Sequence, residues 1–174
     1  MKGGPMVLQR HPPVYSRAEY FSDAAIHVSG IAIAVVAVPV LIVLAAIQND
    51  LFDLGADLCR PEMEKDAEAE YPPLRLDPAQ IDRLEREIDA MNAGLEPLRS
   101  FILPGGTPAS AHLHLCRTVA RRAERLAVEL SGIEEVNPAA VKFLNRLSDW
   151  FFVAARVAND QGRADILWQP GANR

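Results

Sequence analysis

The chain has 174 residues but only two cysteines and no excess of basic charge. Cys59 and Cys116 are too few for a disulfide framework and lack the spacing of a metal site, so we expect a reducing compartment. His112 and His114 would point to different faces of a helix, so they make a poor metal pair and receive no site role. The formal net charge of −5 argues against a nucleic-acid binder, because neutralising phosphates requires a basic surface.

One segment lacks charged residues altogether. The twenty residues 28–47 are uncharged, and a helix of that length spans roughly 30 Å, the thickness of a bilayer core. The segment begins too late and is too long for a secretory signal. Two interpretations stay open, a membrane span and the buried helix of a soluble bundle, and the hydropathy favours the span.

No stretch alternates between apolar and polar residues as a half-buried strand does, so the pattern predicts an all-α antiparallel helix bundle. We expect a flexible tail over residues 1–23, a long apolar N-terminal helix over 24–47, and a helical domain over 48–174. The stretch 60–76 is read as a loop, and the polar tail from Gln161 is expected to be loose.

Three helix starts are marked by a capping residue followed by proline. Asp77, Thr107 and Asn137 each precede a proline, which suits the first position of a helix. Gln80 completes a capping-box pattern with Asp77. The apolar stripe predicted to face the core in the second of these helices consists of Leu115, Val119, Ala123, Leu126 and Leu130. The stripe predicted in the last helix consists of Val141, Leu144, Leu147, Phe151 and Ala155.

The stretch "RTVARRAERL" concentrates arginine in an acidic protein. Arg117, Arg121 and Glu124 share one helical face, and Arg122 and Arg125 share the adjoining one. A solvated, salt-bridged face is one interpretation. The other is a polyphosphate site, because the guanidinium fork suits phosphate oxygens.

The last helix carries a second polar face, formed by Asn145, Asp149, Phe152 and Arg156. An aromatic ring within a polar face suggests a covered surface, either a ligand site or a subunit interface. Partial burial by ordinary helix packing explains the same spacing equally well.

Three longer stretches carry a family resemblance. "IQNDLFDLGADL", "FILPGGTPASAHLHLCRTVARRAER" and "VKFLNRLSDWFFVAARVAN" together resemble the ATP:cob(I)alamin adenosyltransferases, which are cytoplasmic trimeric five-helix bundles. The resemblance covers about residues 46–160. It implies transfer of the 5′-deoxyadenosyl group from ATP, bound with Mg²⁺, to cob(I)alamin, with release of triphosphate at sites between the subunits of a homotrimer.

The same resemblance implies roles for individual residues. The residues implied to bind ATP are Arg121, Arg122, Glu124, Arg125 and Asn145. Arg117 and Asp149 would support the site at the subunit interface. Phe101 would cover the lower face of the corrin and keep the axial base off the cobalt, which eases reduction to cob(I)alamin.

The N-terminal segment departs from the family pattern. The Thr- and Gly-Asp-rich loop that wraps the ATP phosphates, and the first helix, have no counterpart here, whereas residues 14–45 resemble the start of hemolysin III-like membrane proteins. We therefore expect a fusion with a seam at residues 45–47, a truncated bundle, one continuous helix across the seam, and weak or absent adenosyl transfer. The alternative function is a membrane-tethered, non-catalytic remnant that binds corrinoid or intact subunits.

Overall fold

The computed structural model describes residues 42–173. The chain divides into two compact units, Met1–Ile47 and Gln48–Arg174, and the account below concerns the second. The predicted tail over 1–23, the hemolysin III-like resemblance over 14–45 and most of the apolar helix over 24–47 lie outside the described residues. Within residues 42–173, every helix is too short or too polar to cross a membrane.

The described chain consists of helices joined by loops and followed by a non-helical tail. Residues 42–58 form α1 without a break, so the prediction of a continuous helix across residues 45–47 is confirmed. The other elements are a short 3₁₀ helix Met63–Glu68, α2 Pro78–Asn92, α3 Pro108–Leu130 and α4 Pro138–Ala158. The 3₁₀ helix lies where a loop was expected. In this part of the chain the β pairing is limited to one isolated bridge, between Ile102 and Leu167.

The helix starts lie where the capping residues predict. Asp77 and Gln80 form a reciprocal capping box at the start of α2. Thr107 and Asn137 each accept a backbone N–H from the first turn of their own helix, and proline follows both. The first N–H groups of a helix have no partner within the helix, so these caps determine where each helix begins.

Helix α4 is the centre of the bundle, because it packs against both α2 and α3. Its predicted apolar stripe is confirmed for Leu144, Leu147, Phe151 and Ala155, which are buried, whereas Val141 is half-buried. Trp150 points toward α2, where its indole N–H donates to Glu87 Oε2 at 2.7 Å. The core of the described domain therefore surrounds a single helix.

The predicted core face of α3 is wrong. Leu115, Val119 and Leu126 are 61%, 49% and 58% exposed. The residues of α3 that are buried are Ser110, His114, Ala120 and Ala127. Three of these four side chains are small, which allows α3 to lie close to α4. The large apolar residues lie on a face that nothing in residues 48–173 covers.

A buried carboxylate ties the N-terminal side of the domain together. Asp57 is 2% exposed and accepts hydrogen bonds from the Leu76 N–H at 2.8 Å, Asn137 Nδ2 at 2.7 Å and Arg75 Nη1 at 2.6 Å. Arg75 also donates through Nε to Asp66 at 2.8 Å. A buried charge is tolerated when it is paired and fully hydrogen-bonded. The network joins the end of α1 to the starts of α2 and α4, and sequence spacing gave no sign of it.

Candidate functional site

Three of the residues expected to bind ATP meet between α3 and α4. Glu124 Oε2 accepts a hydrogen bond from Arg121 Nη1 at 2.5 Å, and Glu124 Oε1 accepts one from Asn145 Nδ2 at 2.8 Å. The Glu124 side chain is 12% exposed, whereas that of Arg121 is 47% exposed. The carboxylate thus fixes a guanidinium and an amide that both remain within reach of a ligand.

A second contact lies two turns further along α4. The Arg117 guanidinium carbon is 5.2 Å from the centre of the Phe152 ring, within cation–π range. The His114 ring meets Phe152 edge-on, with 6.3 Å between ring centres. Glu124 of α3 contacts Asn145 of α4, whereas Arg117, earlier in α3, contacts Phe152, later in α4. The two helices are therefore antiparallel, and their polar faces form one continuous strip.

The strip contains more arginine side chains than carboxylates to pair with them. Glu124 pairs with Arg121, whereas Arg117, Arg122 and Arg125 are exposed and form no ion pair with any residue of the described chain. Unpaired guanidinium groups on one helix favour a ligand with several anionic oxygens. Residues 42–173 contain no group of three His, Cys, Asp or Glu side chains that could hold a metal ion.

Asp149 lies on the side of α4 that faces α2. Its Oδ2 accepts a hydrogen bond from Arg146 Nη1 at 3.0 Å, and Arg146 Nε also pairs with Glu85 of α2 at 3.1 Å. Within one chain Asp149 therefore pairs with Arg146 rather than with Arg117. Its expected role beside Arg117 at a subunit interface stays a prediction.

Phe101 lies apart from the arginines, on the loop between α2 and α3. Its ring is 76% exposed, and its edge meets the Trp168 ring at 5.9 Å between centres and 68° between planes. The Phe101 carbonyl accepts the Trp168 N–H at 2.8 Å, and the Leu103 N–H donates to the Ile166 carbonyl at 2.8 Å. The tail beyond α4 is thus paired with this loop, so the expectation of a loose tail from Gln161 is wrong.

A buried polar cluster beyond Phe152 anchors the same loop. Arg156 is 6% exposed, and it donates to Asp165 Oδ2 at 3.0 Å and to the Glu96 carbonyl at 2.8 Å. Asn159, fully buried, donates to Asp165 Oδ1 and to the Gly105 carbonyl, at 3.2 Å each. For Arg156, the structure favours the interpretation of burial by packing within the chain, because its partners come from the loop and the tail.

Gly106 is the point where this loop cannot carry a side chain. Its φ is +96°, and a Cβ there would lie 2.7 Å from Asn159 Cγ. Gly106→Ala should therefore lower the free energy of unfolding by about 1–3 kcal/mol, measured by urea denaturation. Gly55→Ala is the matched control, since a Cβ there meets nothing within 4 Å; alanine favours the helix and should be neutral or stabilising. Equal effects of the two substitutions would contradict the steric argument.

His114 is a buried residue, although the spacing of the two histidines argued only against a metal pair. It is 4% exposed, and its Nε2 has no hydrogen-bond partner in the described chain. Burial, followed by the positive charge of Arg117, lowers the pKa of His114 from its ordinary 6.5, against a smaller opposing effect of Asp165. The lowered pKa favours the neutral imidazole, whose ring packs edge-on against Phe152. The "HLHL" spacing places the two histidines on different faces of a helix, but it does not show which of them is buried.

Stability should consequently depend on His114 below neutral pH. The unfolded chain takes up a proton near pH 6.5 that the folded protein resists, so the free energy of unfolding should fall as the pH falls from 6.5 toward the lower folded pKa. Denaturant unfolding at pH 7 and pH 5 measures this loss. The loss in the free energy of unfolding between pH 7 and pH 5 should be smaller in His114→Phe. It should be unchanged in His112→Ala, because His112 is exposed. An unchanged loss in His114→Phe would contradict the assignment.

Comparison with known proteins places the chain. The model of the cobalamin adenosyltransferase family matches residues 22–158. The corrinoid adenosyltransferase of Mycobacterium tuberculosis (strain H37Rv) is 54% identical over 134 residues, which cover 76% of this chain and 67% of the relative. That of Bacillus subtilis is 42% identical over 130 residues, covering 74% of this chain and 64% of the relative. The chain thus spans about two thirds of the length of these relatives.

The fold gives the same result. A solved variant of the PduO-type ATP:corrinoid adenosyltransferase from Lactobacillus reuteri, complexed with cobalamin and ATP, aligns with a TM-score of 0.65 and 39% identity. The alignment covers 73% of this chain and 67% of that chain. From its helices, its arginine strip and its relatives, the chain belongs to the cobalamin adenosyltransferase family.

Proposed function

We propose that this protein is an ATP:corrinoid adenosyltransferase, which transfers the 5′-deoxyadenosyl group of ATP to cob(I)alamin and releases triphosphate. The observation that carries the proposal is the strip of α3 and α4, where Glu124 orients Arg121 and Asn145 beside unpaired arginines. The Co(I) centre of the substrate attacks C5′ of ATP. The C5′–O bond breaks, and its electron pair leaves with the triphosphate. Since ATP is the donor, we place the reaction in the cytoplasm.

The arginine strip suits the departing triphosphate. Arg122 and Arg125 are exposed on the same turn of α3 as the Glu124 carboxylate, so they can meet phosphate oxygens without first breaking an ion pair. Arg121 is held by Glu124 at 2.5 Å, which limits the side-chain entropy that binding would cost. Donors fixed in advance stabilise charge that develops on the leaving group. Mg²⁺ would arrive with ATP and share that charge.

Phe101 suits the lower face of the corrin. A large apolar ring that is 76% exposed is normally unfavourable in water, and exposed aromatic residues commonly mark binding surfaces. A ring packed under the corrin would occupy the position of the axial base. Without that base, cob(II)alamin is easier to reduce to the Co(I) nucleophile. Phe101 is thus proposed to act on the acceptor, and the arginines on the donor.

A homotrimer would explain the apolar face of α3. Leu115, Val119 and Leu126 are exposed in the isolated chain, and an exposed apolar stripe on a helix usually packs against a partner. In such an assembly Arg117, which lies over the Phe152 ring, and Asp149 would meet a neighbouring subunit. Light scattering coupled to size-exclusion chromatography measures the mass directly. A monomer of 19.1 kDa would contradict this part of the proposal.

The assay uses the full chain with ATP, Mg²⁺ and chemically reduced cobalamin. Adenosylcobalamin formation is followed by absorbance, with an intact family member as the reference. Loss of cob(I)alamin that requires both ATP and protein supports the proposal. Turnover equal to the reference would contradict the expectation of impaired transfer. No product, together with no ATP binding by calorimetry, would contradict the enzyme and favour the non-catalytic corrinoid-binding alternative.

A further inference from the structure

The tail beyond α4 forms a short ladder with the loop that carries Phe101. Its bonds are those between the main chains of Phe101 and Trp168 and of Leu103 and Ile166. Ser100 Oγ also donates to the Trp168 carbonyl at 2.9 Å. These bonds use the main chain of Trp168, so they would form with any other non-proline residue at this position. They fix where the loop lies, but they leave the Phe101 ring free to rotate about χ1.

The Trp168 ring supplies the restraint that the ladder lacks. It meets the Phe101 ring edge-on at 5.9 Å, a geometry that aromatic pairs prefer. Trp168 is itself 44% exposed, so it adds little to the buried core. Trp150 differs, because it is 5% exposed and its indole N–H is bonded to Glu87. The two tryptophans therefore have different roles. Trp150 belongs to the core, whereas the main contact of the Trp168 ring is with the exposed Phe101 ring.

We propose that Trp168 is a positioning residue for the corrinoid, acting through Phe101. Its ring holds the Phe101 ring in the orientation that covers the lower face of the corrin and excludes the axial base. The proposal rests on the proposed function, because it assigns Trp168 to the acceptor side of that reaction. It also makes the tail a functional element that sets the coordination state of cobalt.

The test measures the cobalt coordination of bound cob(II)alamin. Absorbance spectra of the full-length protein with ATP and cob(II)alamin give the ratio of base-off to base-on cobalt. Trp168→Ala should lower this ratio by about two- to tenfold, the range expected for one aromatic pair. Trp168→Phe, which restores an edge contact, should recover most of it. Arg163→Ala is the control, because Arg163 lies in the same tail and pairs only with Asp160 among the described residues.

A double-mutant comparison separates positioning from loss of fold. Trp168→Ala should have no further effect on the ratio in a Phe101→Ala protein, since its action requires that ring. Equal effects in both backgrounds would overturn the proposal, as would an unchanged ratio in Trp168→Ala alone. If the unsubstituted protein shows no base-off cobalt, the proposed function fails at the corrinoid step instead. Thermal unfolding of each variant shows whether the ladder persists.

Discussion

Replacing Arg156 with alanine is expected to lower the free energy of unfolding by about 3–5 kcal/mol, because it breaks a buried ion pair and leaves its partner charged. Asp165 has a side chain only 3% exposed, so water cannot replace the lost guanidinium. The Glu96 carbonyl loses a donor as well. For a domain of this size the melting temperature should fall by roughly 6–20 °C, at about 2–4 °C for each kcal/mol. Differential scanning calorimetry and urea denaturation measure the two quantities.

Two further substitutions sharpen this experiment. Arg163→Ala removes an ion pair with Asp160 that is 68% and 63% exposed, and such surface pairs contribute about 0–1 kcal/mol. Arg156→Lys keeps the charge but cannot reproduce the two separate bonds of the fork, so it should lie between the alanine variant and the unsubstituted protein. A loss below about 1 kcal/mol in Arg156→Ala would show that the cluster does not hold the tail in solution.

The second large effect is expected at Arg121. Arg121→Ala should lower kcat/KM for ATP by about 10²–10³, the cost of removing one preorganised donor from a developing negative charge. The reason is structural, since Glu124 holds this guanidinium in place before ATP arrives. The loss should appear mainly in kcat if Arg121 acts on the leaving triphosphate. It should appear mainly in KM if Arg121 binds ATP in the ground state.

Arg86→Ala is the matched control for charge. Arg86 is an exposed arginine of α2 and forms no ion pair with any residue of the described chain. Its removal changes the net charge by the same amount as Arg121→Ala does, but should leave kcat/KM within about twofold. Equal losses in the two variants would mean that the general positive field, and not a fixed donor, attracts ATP. Calorimetric ATP affinities for the same variants separate binding from transfer.

The sequence predicted the features that depend on residues close together in the chain. Asp77, Thr107 and Asn137 were predicted as caps, because a cap bonds to its own first turn. Arg121 and Glu124 were placed on one face by helical spacing, and Asn145 was selected on the facing helix. In the structure the Glu124 carboxylate accepts hydrogen bonds from both Arg121 and Asn145. Local periodicity thus found both polar faces, although it could not show that they meet.

The errors share a different physical cause. Helical spacing shows that Leu115 and Val119 lie on one face, but it cannot show whether another helix covers that face. The tail after Gln161 is polar, and polarity predicts a loose segment. What orders it is a set of bonds to residues far away in sequence, such as that from the Trp168 N–H to the Phe101 carbonyl. The burial of Asp57 could not be predicted for the same reason, since its partners Leu76 and Asn137 are far away in sequence.

The anchoring of Thr107 has one more consequence. Its N–H donates to Asn159 and its hydroxyl to the Ala158 carbonyl, so the beginning of α3 is fastened to the end of α4. In the proposed function, Phe101 on the cobalt side precedes this anchor in the chain, and the arginines on the phosphate side follow it along α3. This anchor therefore fixes the position from which both the Phe101 loop and the arginines of α3 extend. If those roles hold, substitutions in the tail should change corrinoid binding more than ATP binding, because the anchor at Thr107 separates the two regions.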